Sequence, residues 1–269
     1  MFELKKSPTE EQPGVDIARL PMIEAREVRK TYNSGKVEVE ALKGVNLAVR
    51  KGGMVAIMGP SGCGKTTLLN SVSGLDDITS GEVLIAGEHI SEMSDRTRTR
   101  FRAENMGFIF QSYNLMPVLS AVENVELPLL VAGAKPKDAR KKALEALEMV
   151  GILDQAKKRP NQMSGGQQQR ATVARSFVNE PAIVWADEPT GALDSETSKE
   201  IMDLLVRLNE EQGQTFVLVT HDAAVAKRAH RTIRMRDGLI ESDGINSEPE
   251  VVSGAAGGAT NGKVAEGRG

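Results

Sequence analysis

Cysteine and aromatic residues are scarce in this chain, and each shortage removes a class of function. A single cysteine, Cys63, in 269 residues excludes an internal disulfide and a cysteine-built zinc cage, and it fits a reducing compartment. Phe, Trp and Tyr together make up 3% of the residues, too few for the stacking platforms that hold single-stranded nucleic acid. Neither sign of charge prevails: 34 Lys and Arg against 37 Asp and Glu leave a formal net charge of -3. Without a basic surplus, nucleic acid is not an expected partner. No apolar stretch approaches the roughly 20 residues that cross a bilayer. The opening segment MFELKKSPTEEQPG is charged and lacks the apolar core of a secretory signal. A cytoplasmic location is expected, with any membrane-spanning part supplied by a partner.

Hydrophobic residues at 40% and charged residues at 26% are the proportions of a soluble globular chain. The length suggests one large domain or two lobes of one. Residues 1–21 are polar and proline-punctuated and read as a flexible leader. The folded domain is expected over 22–243, and 244–269 reads as a disordered tail, too poor in large apolar residues to pack. Four apolar runs, GMVAIMG (53–59), MGFIF (106–110), AIVWA (182–186) and TFVLVT (215–220), do not alternate with polar residues. They are predicted to be strands buried on both faces. Helices are expected over 64–74, 136–150 and 165–179. In the second of these, Ala143, Leu144, Leu147 and Val150 share a face and Gly151 stands where a C-terminal cap belongs. Strands interleaved with helices imply an α/β fold around a largely parallel sheet. The run 112–178 is mostly helical in pattern and reads as a lobe inserted between strands.

The chemistry begins at GPSGCGKTT, residues Gly59, Pro60, Ser61, Gly62, Cys63, Gly64, Lys65, Thr66 and Thr67. Between a buried strand and a helix, this pattern is a phosphate-binding loop. The glycines let backbone N–H groups approach phosphate oxygens, and the helix N-terminus adds its positive end. Lys65 can reach the β- and γ-phosphates of a nucleotide, and the Thr66 hydroxyl can ligate Mg²⁺. In AIVWADEPTGALD, Asp187 and Glu188 stand at the end of a buried strand, where parallel sheets place their ligands. Successive strand residues point to opposite faces, so Asp187 is assigned to Mg²⁺ and Glu188 to the general base. Gln111 and His221 also end apolar strands. Gln111 is expected to sense Mg²⁺ and water, and His221 to hold the γ-phosphate.

A second anion-ready helix start lies at MSGGQQQR, where Ser164 is a good N-cap and Gly165 and Gly166 clear the helix mouth. It carries no lysine. One chain needs no second phosphate site unless two copies share each nucleotide, so a two-fold dimer with two shared sites is expected. Taken in order, GPSGCGKTT, MSGGQQQR, VWADEPTGALD and VTHD resemble the ATPase subunit of an ABC transporter, over about residues 22–243. The resemblance implies a P-loop NTPase with a RecA-like core, an antiparallel β subdomain and an inserted helical subdomain. It also implies a head-to-tail ATP sandwich in which Ser164, Gly165, Gly166 and Gln167 face the partner's γ-phosphate. Tyr32 resembles the aromatic that stacks on adenine, and Asp194 the aspartate that links the two sites. Met163 and Cys63 stand where leucine and serine are common in the family, and neither change bears on nucleotide binding. The segments YNSGKVEVEALKGVNL, MGFIFQSYNLMPVLSAVENVELPLL and RPNQMSGGQQQR resemble the macrolide-exporter and lipoprotein-release subgroup. That subgroup implies a separate four-span permease, which the ATPase serves from the cytoplasmic face of the membrane. Leu115, Met116, Leu119, Val122 and Leu127 are the expected groove for a permease helix. A soluble ABC ATPase of translation or DNA repair is the alternative, usually with two cassettes or a long coiled coil. A small-molecule kinase would give no reason for the Ser164 motif.

Overall fold

A computed structural model describes residues 21–35 and 37–246. The tail from 247 onward and all of the leader before Pro21 lie outside the described residues. Strands β1 (Ile23–Ser34) and β2 (Val37–Val49) pair antiparallel, with bulges in their register. Strand β3 (Met54–Met58) founds a second sheet and runs through the phosphate loop into α1 (Lys65–Val72). Strands β4 (Ser80–Ile85) and β5 (Glu88–His89) return to the first sheet, whose order is β2-β1-β4-β5.

Helix α2 (Asp95–Asn105) then leads into β6 (Met106–Phe110). The following segment carries α3 (Ala121–Val131), α4 (Pro136–Met149) and α5 (Gly165–Phe177). The chain re-enters the second sheet as β7 (Ile183–Asp187), α6 (Ser195–Gln212), β8 (Thr215–Val219), α7 (Ala223–Lys227), β9 (Arg231–Arg236) and β10 (Leu239–Ile245). The order there is β10-β9-β3-β8-β7-β6, parallel except for β10.

The apolar strands β3, β7 and β8 are buried on both faces, as a covered parallel sheet requires, whereas the edge strand β6 leaves Phe108 and Phe110 half-buried. Alternate residues feed two cores. Met54, Ala56, Val184, Phe216 and Leu218 pack with the helices α3 to α6. Val55, Ile57, Trp185, Val217 and Val219 pack with α1 and the antiparallel sheet. Several helix ends are satisfied locally. Ser120 and Glu123 form a capping box on α3, Asp194 caps α6, and Gly213 closes α6 at φ 68, a left-handed conformation open to glycine.

The expected tail boundary at Gly244 is too early. Gly244 and Ile245 complete β10, opposite Thr232 and Arg231 of β9. The Asn246 side-chain amide then donates to the carbonyls of Ala226 at 3.0 Å and Ala229 at 2.7 Å. This strand is almost entirely exposed, so it carries no apolar pattern. Main-chain pairing and the Arg231–Asp243 ion pair hold it.

Candidate active site

The strand register gathers the candidate residues. Ile57 of β3 stands opposite Val219 of β8, Val219 opposite Asp187 of β7, and Asp187 opposite Phe110 of β6. The residues that follow this row leave the carboxyl edge of the sheet side by side: the phosphate loop, Thr220 and His221, Glu188, and Gln111. Parallel sheets place their ligands at this edge.

In the phosphate loop a side chain at Gly59 would run into the Met235 carbonyl and come within 2.6 Å of the Cys63 sulfur. At Gly64, with φ 101, it would come within 2.7 Å of the Ala41 carbonyl. Cys63 is buried under the loop and fills space there. Lys65 folds back so that Nζ donates to the carbonyls of Gly59 at 2.8 Å and Pro60 at 2.9 Å. The Thr66 hydroxyl lies 3.2 Å from each oxygen of Asp187. Burial raises the pKa of Asp187 and the adjacent Glu188 charge adds to it, against the Thr66 bond and the Lys65 charge.

Glu188 differs from the expectation of simple strand alternation. Its φ is 48, left-handed for a residue with a side chain. Its N–H still donates to Val219 at 2.9 Å, so the turn occurs at the first residue past β7. The Glu188 carboxylate meets Nδ1 of His221 at 2.8 Å. Gly191 makes room for the last member: a side chain there would approach Gln111 Nε2 to 2.9 Å and Glu188 Cβ to 3.4 Å.

Ser164 caps α5. Its hydroxyl accepts from the Gln167 N–H at 3.3 Å, and the Gln167 side chain accepts from the Ser164 N–H at 3.0 Å. The two glycines have neighbours within their own chain. A side chain at Gly165 would lie 2.9 Å from the Tyr113 hydroxyl, and one at Gly166 would lie 2.7 Å from Thr197 Cγ2. The starts of α5 and α6 therefore touch. Asp194 caps α6 by accepting from the N–H groups of Glu196 at 3.1 Å and Thr197 at 3.0 Å. Those bonds and the Thr197 hydroxyl hold its carboxyl below the usual range. Among the described residues no hydrogen bond joins Ser164–Gln167 to the phosphate loop. Tyr32, 41% exposed on β1, donates its hydroxyl to Asp76 at 2.8 Å.

Comparison with known proteins fits this arrangement. Residues 42–191 match the ABC transporter family model. The chain belongs to the ABC transporter family. An ATP-binding cassette, MJ0796 of Methanocaldococcus jannaschii, solved as a dimer bound to ADP and Pi, superposes with a TM-score of 0.79 at 45% identity. That alignment covers 84% of this chain and 100% of the cassette. The lipoprotein-releasing system ATP-binding protein LolD of Alcanivorax borkumensis is 44% identical over 82% of this chain and 96% of its own. The macrolide export ATP-binding/permease protein MacB of Syntrophobacter fumaroxidans is also 44% identical, over 88% of this chain but 34% of its own length. As a member of the family the chain is an ATP-binding subunit with ATPase activity, built on the P-loop NTPase fold.

The cassette also has features that its motifs did not reveal. Val122, expected in a permease groove, is buried in the core beside Ala121 and Val125, whereas Met116 and Leu127 are exposed. Helical spacing alone could not say which face of α3 turns inward. A groove of about 360 Å³ instead lies along the edge strand β6, lined by Phe108, Phe110, Asn114, Pro128, Arg102 and Arg175. Phe108 and Phe110 stack with ring centroids 6.0 Å apart. Past Gln111, Tyr113 and Asn114 both take left-handed backbone, at φ 61 and 50. Arg175 of α5 donates to their carbonyls at 2.9 and 2.6 Å, and the Thr172 hydroxyl donates to Tyr113 at 3.2 Å. The sequence signal was slight: an asparagine, tolerant of left-handed backbone, just past a strand-end glutamine.

Proposed function

We propose that this subunit is the motor of a membrane transporter: two copies close head to tail on ATP and drive a separate permease, of four spans, from the cytoplasmic face. The row of strand ends carries this reading, because it brings a cation, a hydroxyl–carboxylate pair and a carboxylate–imidazole pair to one sheet edge.

In this reading Lys65 leaves the loop carbonyls for the β- and γ-phosphates. Thr66 and Asp187 fit Mg²⁺: their donors are all oxygens, and burial leaves the Asp187 carboxylate in need of a positive partner. Mg²⁺, when bound, neutralises charge on the phosphates. Gln111, placed beside Glu188 by Gly191, orients the attacking water and reports on the metal side of the site. Glu188 takes that water's proton on its carboxylate. Nδ1 of His221 holds the carboxylate, which leaves Nε2 for the γ-phosphate.

Ser164, Gly165, Gly166 and Gln167 serve the γ-phosphate of a second copy, with Asp194 linking the two sites. Their contact with the start of α6, and the lack of any bond to their own phosphate loop, support that division of labour. Tyr32 is the base platform. The permease helix seats in the groove along β6, where Phe108, Phe110 and Pro128 offer an apolar floor and Arg102 and Arg175 a polar rim. No described helix is long and apolar enough to cross a membrane.

Two measurements test the proposal. Lys65→Ala removes the pre-placed cation, so equilibrium ATP binding is expected to disappear; unchanged affinity and turnover would remove Lys65 from its role. Purification of the tagged full chain from membranes is expected to bring a four-span protein that stimulates its ATPase activity. Recovery of a ribosome or a repair complex instead overturns the transport reading.

A further inference from the structure

The Tyr32 ring is held at two points. Its hydroxyl donates to Asp76 Oδ2 at 2.8 Å. Lys30 places Nζ over the ring, 4.8 Å from its centroid, within cation–π range. The same ammonium donates to Asp76 Oδ1 at 2.8 Å and to the Asp77 carbonyl at 2.5 Å. Lys30 is only 8% exposed, so this cation has given up most of its water for a carboxylate, a carbonyl and an aromatic face. Asp76 lies just beyond α1, where its N–H donates to the Asn70 carbonyl at 3.1 Å. The ring on β1 is thereby tied to the helix that begins at the phosphate loop. Burial, and then the bond to Asp76, raise the Tyr32 pKa, so the phenol remains a neutral donor. Burial would also raise the pKa of Asp76, but the bonds from Lys30 and Tyr32 outweigh it and keep the carboxylate charged.

We propose that Lys30 and Asp76 are positioning residues for the nucleotide base: they fix the plane of the Tyr32 ring and set positive charge against its face. The inference rests on reading Tyr32 as the base platform. A cation on an aromatic face draws density from the ring, and an electron-rich purine stacks better on a depleted ring. A ring already locked by two partners also loses less freedom when a base arrives. A merely structural Lys30–Asp76 pair would tie β1 to α1 and leave base affinity untouched.

The test compares ATP with inorganic triphosphate, which has the phosphates and no base, in calorimetric titrations of the full chain with MgCl₂. Lys30→Met is expected to weaken ATP about two- to tenfold, at most the worth of the aromatic stacking that the cation tunes, and to leave triphosphate unchanged. Tyr32→Phe keeps the ring but loses the Asp76 bond, and about two- to tenfold weaker ATP is expected, again with triphosphate unchanged. Should Lys30→Met fail to fold, Tyr32→Phe carries the test, since it removes one oxygen from a partly exposed ring. Tyr32→Leu separates the inference from the reading beneath it. If Tyr32→Leu binds ATP normally, Tyr32 is no platform and both fall. If Tyr32→Leu weakens ATP while Lys30→Met and Tyr32→Phe bind it normally, the platform stands and the positioning role is overturned. Equal losses for ATP and triphosphate overturn it as well.

Discussion

Nδ1 of His221 and Oε1 of Glu188 meet at 2.8 Å, joining the second residue beyond β8 to the first beyond β7. Glu188 is the more buried partner, with its side chain 17% exposed against 69% for His221. The histidine thus holds the carboxylate from the solvent side. Glu188→Gln keeps the size and the contact but cannot take a proton. Hydrolysis is expected to fall about 10²–10⁴-fold, and size-exclusion chromatography with MgATP should show an ATP-bound dimer. A monomer hydrolysing near the unaltered rate would take the base role from Glu188.

The half-buried carboxylate of Asp187 gives a pH signature. Its pKa is raised in the folded chain, so folding favours the protonated form. The stability this group contributes is full below its unfolded pKa, and it is lost as pH rises through the higher folded value. Asp187→Asn removes that penalty. In urea titrations with EDTA the variant is expected to be more stable than the parent at pH 7, with the difference shrinking towards pH 4. Its Mg²⁺-dependent ATPase should nevertheless be lost. A variant less stable than the parent at pH 7 would mean that the ionised carboxylate is stabilised by its neighbours.

Cysteines at Ser61 and Ser164, in a Cys63→Ser background, test the shared site. The structure guides this choice, because a substitution at Gly165 would also push the Tyr113 hydroxyl of its own chain. Replacing Ser164 loses a helix cap, at about 1 kcal/mol, which a melting curve detects. Oxidation with ATP is expected to yield covalent dimers. ATP-dependent links confined within one chain would leave Ser164 as a helix cap and nothing more.

At the far edge of the sheet, Asn246 bonds two carbonyls of the α7 turn and the Thr232 hydroxyl. Asn246→Ala is expected to lower stability by about 1–3 kcal/mol, the cost of leaving partly buried acceptors unpaired. Chemical denaturation measures it, and an unchanged midpoint would show that water replaces the amide without loss.

Four strands of the six-stranded sheet, β3, β6, β7 and β8, were legible because each is a continuous apolar run, and so were the polar residues ending three of them; β9 alternates charged and apolar residues and β10 is exposed, so neither stood out. The phosphate loop was legible because Gly59, Gly64, Lys65 and Thr66 stand at fixed spacing. Other features depend on partners distant in sequence. Val122 points inward because α3 packs on α4 and α5, which no local pattern specifies. The separation of Glu188 from Asp187 comes from one left-handed residue, where strand alternation suggested a simpler cause. Residues 244–246 look like tail because an exposed edge strand is held by its main chain and a few polar contacts, not by apolar side chains.

The Tyr113–Asn114 pair has a thermodynamic consequence. Left-handed backbone at non-glycine positions costs about 1–2 kcal/mol each, and here the Arg175 guanidinium and the Thr172 hydroxyl offset it by bonding the two carbonyls. Asn114 and Arg175 also border the groove along β6, while Gln111, three residues earlier, stands beside Glu188. Anything seated in the groove and anything bound at the sheet edge therefore act on one short piece of chain. If filling the groove steadies that conformation and so raises nucleotide affinity by some factor, nucleotide must raise affinity for the occupant by the same factor. With its carbonyls pinned by discrete donors, the loop has few intermediate poses, so the two events should reinforce or oppose each other as a switch and not as a spring.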